Sequence, residues 1–69
     1  MSLEMLIKDG WFDKVAEFEL PLSKSEIKEL KKNRKVVVKK GDESFYISIR
    51  SGSDLNNLEE SDVYIRKVK

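Results

Sequence analysis

The stretch from Lys35 to Arg50, K-V-V-V-K-K-G-D-E-S-F-Y-I-S-I-R, constrains the fold more than any other. Val36 to Val38, then Phe45, Tyr46, Ile47 and Ile49, are β-branched or aromatic residues that suit a pleated surface. Gly41-Asp42 separates the two runs as a two-residue loop with glycine first, which suits a type II′ hairpin turn. A tight turn also fixes register, because residues pair symmetrically about it. Val38 is therefore expected to face Phe45, and Val36 to face Ile47, on one side of the sheet. The other side receives Lys35, Val37, Lys39, Ser44, Tyr46, Ser48 and Arg50. One face is a core face, and the other is wet, basic and aromatic.

What surrounds the hairpin is bounded by length. A chain of 69 residues predicts a single small α+β domain over residues 1–69. Such a chain buries only about 60% of the surface that its unfolded form exposes. With no cysteine there is no disulfide, and with no histidine either, a zinc site is implausible. No apolar run approaches the ~20 residues of a membrane span, and no signal-peptide core is visible. The expectation is a soluble, cytoplasmic protein with no membrane partner.

Leu3 to Leu20 reads as a second hairpin turning at Asp9-Gly10. Pairing about that turn sets Ile7 opposite Phe12 and Leu3 opposite Ala16, with Leu3, Met5, Ile7, Phe12, Ala16 and Phe18 inward. Trp11 then falls on the wet face beside Leu6 and Val15, an apolar patch expected to serve as a homodimer or partner contact. A rival reading starts a short helix at Ser2 and ends it at Gly10, with Leu3, Leu6 and Ile7 inward. The hairpin is preferred because a helix of seven or eight residues is marginal on its own.

Pro21 ends the strand, and Ser23 with Glu26 forms an S-x-x-E capping box that opens a helix of about ten residues. Ile27 and Leu30 give it a narrow inward stripe, and Asn33 is a suitable left-handed terminator. After Arg50, Ser51 to Ser53 read as loop, and Asp54 caps a single turn whose Leu55 and Leu58 plug one end of the core. Val63 to Arg66 alternates as a last strand, with Val63 and Ile65 inward and Tyr64 and Arg66 outward. The predicted order is ββαββ(turn)β, one helix on a four- or five-stranded sheet. That order resembles the β-grasp architecture of ubiquitin-like domains. Ubiquitin-like modifiers end in Gly-Gly where this chain reads Arg66-Lys67-Val68-Lys69, so the resemblance implies no conjugating or sulfur-carrying role.

Chemistry-bearing constellations are few. Without histidine or cysteine no conventional catalytic triad can be assembled, and no enzyme activity or cofactor is expected. Glu17 and Glu19 alternate on the expected strand, where they are either a solvated pair or the start of a hard-cation site, which needs several more oxygens.

Charge is more telling in its distribution than in its total. The formal net charge is +1, yet residues 24–40 hold eight basic residues against Glu26 and Glu29. Lys24, Lys28, Lys31 and Lys32 lie along the helix, where like charges cost about 0.2–0.5 kcal/mol per pair before screening. They form either a solvated face or a docking surface for an acidic partner. If the last strand lies beside the hairpin, Lys35, Lys39, Tyr46, Arg50, Tyr64 and Arg66 gather on the open sheet face. Tyrosines flanked by cations suit a protein interface or single-stranded nucleic acid. The near-neutral total favours a non-enzymatic module that binds an acidic protein surface, with single-stranded nucleic acid as the alternative partner.

Overall fold

The computed structural model describes residues 1–68 and shows an α+β domain. Its elements are α1 (Leu3–Lys8), α2 (Trp11–Ala16), α3 (Lys24–Asn33), β1 (Lys35–Lys40), β2 (Glu43–Ile49) and β3 (Val63–Lys67), with a 3-10 turn at Glu60–Asp62 before β3. The three strands form one antiparallel sheet in the order β1-β2-β3. The three helices supply the layer opposite its apolar face, with α3 against β1 and α2 against β3. No helix among the described residues is long and apolar enough to cross a membrane.

The central hairpin forms in the expected register, with Val38 paired to Phe45 and Val36 to Ile47. Gly41 carries the positive φ of the turn at +61°, and Asp42 keeps a negative one, as glycine-first loops require. Alternation then sorts the side chains. Val38, Phe45, Ile47 and Ile49 are buried, while Lys35, Val37 and Lys39 are exposed. The last strand also behaves as its pattern dictates, Val63 being buried and Tyr64 and Arg66 exposed.

The N-terminal segment is different. Residues 3–16 form two short helices rather than a hairpin, so the sheet has three strands among the described residues instead of four or five. The likeness to a β-grasp fold depended on that first strand pair and is not confirmed. Asp9-Gly10 gave an ambiguous local signal, since a residue at positive φ serves a tight hairpin and a helix terminus equally well. Gly10, at φ +74°, ends α1 and opens α2 at once. Packing decides between the two. Leu3 and Leu6, three apart, are both buried, and Ile7 packs against the same core. Ser2 caps α1 by accepting the Met5 amide at 3.3 Å, and Met1 exchanges backbone hydrogen bonds with Leu58, which ties the helix to the far loop. A helix too short to persist alone is held by tertiary contacts.

This arrangement removes the basis for the expected dimer contact. Leu6 lies in the core, and Trp11 is half-buried in its own chain, edge-on to Phe12 with ring centroids 5.4 Å apart. The segment after α2 is fastened in the same way. Asp13 Oδ1 accepts the Leu20 amide at 2.7 Å, Leu20 is buried, and Phe18 packs edge-on against Phe45 at 4.9 Å.

Helix α3 begins where the capping box places it. Ser23 Oγ accepts the Glu26 amide at 3.2 Å, and Glu26 Oε1 accepts the Ser23 amide at 2.8 Å. Replacing Ser23 by alanine is expected to cost about 0.5–2 kcal/mol, read from denaturant midpoints, and an unchanged midpoint would show that the cap is idle. At the other end Asn33 is the last helical residue, and Arg34 takes the left-handed conformation at φ +60°. Arginine at that position carries a conformational cost of about 1–2 kcal/mol. Its guanidinium offsets the cost by donating to Ser53 O at 2.8 Å and to Arg50 O at 3.3 Å. Asp54 and Leu58 then act as the pattern predicts. Asp54 accepts the Asn56 amide at 2.9 Å, and Leu58 is buried.

Candidate functional site

The sheet buries one face under the helices, and the described residues leave the other uncovered. Strand pairing sorts the residues of the open face into rows. Lys35, Ser48 and Tyr64 stand side by side, and Val37, Tyr46 and Arg66 form the next row. Lys39 lies beside Ser44, whose carbonyl accepts the Val68 amide at 2.8 Å. Adjacent side chains in such rows are about 4.5–5.5 Å apart at Cβ, close enough to act as one surface.

Five of the six residues expected on this face are thus brought together: Lys35, Lys39, Tyr46, Tyr64 and Arg66. Arg50 stands one residue beyond β2, exposed, at the end of the face beside Lys35 and Tyr64. Its amide donates to Asp62 O at 2.7 Å, so the ladder still orders its backbone. The Arg66 guanidinium lies 5.2 Å from the centre of the Tyr46 ring, a cation–π contact that fixes the middle row.

Among the described residues, none that projects from this face is acidic. Glu43 projects from the opposite side, where its carboxylate takes Lys67 at 2.6 Å. The face is partly apolar as well as basic. Val37 is 51% exposed and Tyr64 57%, high values for large side chains on an ordered sheet, and Val68, just past β3, is 56% exposed. The strand alternation already placed Val37 outward, but its contribution as an apolar centre emerges only once β3 is set beside β2.

The helix lysines occupy the other layer. Lys24, Lys28, Lys31 and Lys32 are all exposed on α3, whose Leu30 faces the core. Lys31 forms an ion pair with Glu4 of α1, so one of the four already has an acidic partner within the chain. The basic cluster of residues 24–40 consequently divides by task. Arg34 clamps the 50–53 loop, Lys31 pairs with Glu4, and Lys40 donates to Glu19 O. Lys24, Lys28, Lys32, Lys35 and Lys39 have no ion pair among the described residues. The sequence offered no signal for the Arg34 clamp, since its acceptors are backbone carbonyls 16 and 19 residues away.

Glu17 and Glu19 do not alternate on a strand. Glu17 caps α2 in the left-handed conformation at φ +63°, and Glu19 lies in the following loop. Among the described residues no group of three histidine, cysteine, aspartate or glutamate side chains is placed to hold a metal ion.

Compared with protein-family models, curated proteins and solved structures, the chain finds no match.

Proposed function

We propose that this domain is a non-enzymatic binding module that docks an acidic protein surface on the open face of its sheet. The observation that carries this reading is the composition of that face: Lys35, Lys39 and Arg66 surround Val37, Tyr46 and Tyr64 with no carboxylate among them. Protein interfaces combine an apolar, aromatic centre with a polar rim, and tyrosine and arginine are the residues that most often dominate their energetics. A basic rim without acids also steers an acidic partner and discriminates against a basic one.

Single-stranded nucleic acid is the second reading, favoured by the exposed ring of Tyr64 next to cations. The protein reading is stronger for two reasons. Tyr46 already holds Arg66 against its ring, and Val37 offers aliphatic surface rather than a stacking platform.

A titration followed by amide chemical shifts separates them, using a glutamate-rich peptide containing leucine and tyrosine, and a thymidine oligonucleotide. The peptide is expected to shift residues 35–39, 44–48 and 64–66, and Tyr64→Ala to weaken it by about 1–2 kcal/mol. Oligonucleotide binding that falls steeply between about 50 and 200 mM salt, with no response to the peptide, would establish nucleic acid instead. Indifference to both ligands would refute a binding role for the face.

A further inference from the structure

The open face ends at β1, which among the described residues pairs only with β2 and forms one edge of the sheet. Antiparallel ladders bond alternate residues, so the direction of each β1 amide follows from one bond. Ile49 donates to Arg34 O at 2.8 Å, which makes Arg34 and Ile49 a hydrogen-bonded pair. Two and four residues on, Val36 and Val38 therefore bond β2, while the N–H and C=O groups of Lys35, Val37 and Lys39 point to the edge. An open concavity of about 410 Å³ lies against the Lys35–Val37 part of β1, lined by Glu29, Lys35, Val36, Val37 and Tyr46.

We infer that β1 binds an extended acidic segment of the partner as a fourth strand, hydrogen-bonded to Lys35, Val37 and Lys39. The inference rests on the proposed function and specifies its mode. Strand addition takes its affinity from main-chain bonds and its specificity from alternate side chains. On the open face, the added strand places residues beside Lys35, Val37 and Lys39 in turn. Charge complementarity selects an acid, an apolar residue and an acid at alternate positions, and antiparallel pairing, the geometry proposed, sets the amide of the central apolar residue on the Val37 carbonyl. The intervening residues turn toward Glu29 of α3, which disfavours acids there.

A second copy of β1 is the wrong occupant. Antiparallel self-pairing centred on Val37 sets Lys35 against Lys39 of the other copy, and like charges directly opposite are destabilising. Edge lysines of this kind protect a strand from its own kind while leaving it open to an acidic one.

The test uses the whole domain and three peptides of equal net charge. The first contains Glu-Thr-Val-Thr-Glu, the second the same residues with the two glutamates adjacent, and the third the first sequence with its central valine N-methylated. The alternating peptide is expected to slow hydrogen exchange at the Lys35, Val37 and Lys39 amides and to bind about tenfold more tightly than either control. Val37→Pro should abolish this preference without disturbing the β1–β2 ladder, because the Val37 amide faces the edge. Persistent exchange protection of the Ile47 and Phe45 amides confirms that the variant is folded. Equal binding of all three peptides, with shifts on the open face but no edge protection, would overturn strand addition and leave the face as the docking site. Binding of none would overturn both.

Discussion

Truncating Leu6 to alanine is expected to destabilise the domain by about 2–5 kcal/mol. Leu6 is 1% exposed and packs within the core formed by Leu3, Phe12, Leu30 and Ile47. The loss combines the transfer free energy of the removed carbons with a cavity that neighbours refill only partly. A domain of this length has a total stability of roughly 3–10 kcal/mol at typical values per residue, so Leu6→Ala removes a large share of it. The variant also discriminates between the two readings of the N-terminus. In an Asp9-Gly10 hairpin Leu6 lies on the wet face, where truncation costs within about 0.5 kcal/mol. A denaturant melt showing so small a change would refute helix α1.

A comparable loss is expected for Leu30→Ala, about 2–5 kcal/mol, for a different reason. Leu30 is 0% exposed and is the fully buried side chain of α3, a helix otherwise dominated by lysine and glutamate. With so narrow an apolar stripe, the helix is held to the sheet chiefly by one anchor and not by a broad face, while its capping box fixes only where it starts. Ile27→Ala, at a half-buried position, should cost markedly less. Equal losses at both positions, measured by the same melts, would mean that α3 packs through a wider stripe than the structure shows. Because α3 covers the inner side of β1, its detachment would also loosen the strand that presents Lys35, Val37 and Lys39.

The parts of the fold that were legible in the sequence are those in which several local signals agree. Gly41-Asp42, the valine run and the alternation after Glu43 all specify one register, and that register forms. Ser23 and Glu26 likewise fix the start of α3 through complementary hydrogen bonds within four residues. At the N-terminus the signals conflict. Leu3, Met5 and Ile7 alternate as a strand does, while Leu3, Leu6 and Ile7 recur as a helix does, and Gly10 serves both. The decision falls to contacts with Leu58 and the sheet, which are distant in sequence. The same distinction governs the site. Strand parity assigns Lys35, Lys39 and Tyr46 to one face, and Tyr64 and Arg66 join them because β3 pairs with β2, whereas the Arg34 clamp and the Lys31–Glu4 pair depend on how the layers are placed.

Those placements put the two groups of cations in different layers, the stripe on α3 and the cluster on the open sheet face. A partner that docks on the sheet should be sensitive to one group and nearly blind to the other, apart from long-range attraction that salt screens. The most direct measurement compares the double charge reversal Lys35→Glu/Lys39→Glu with Lys28→Glu/Lys32→Glu, titrating each with the glutamate-rich peptide at one moderate salt concentration. Both pairs change the net charge by the same amount, so only position distinguishes them. The sheet-face pair is expected to weaken binding by about tenfold or more, and the helix pair by less than about threefold. A larger loss from the helix pair, or equal losses from both, would contradict docking on the open face of the sheet.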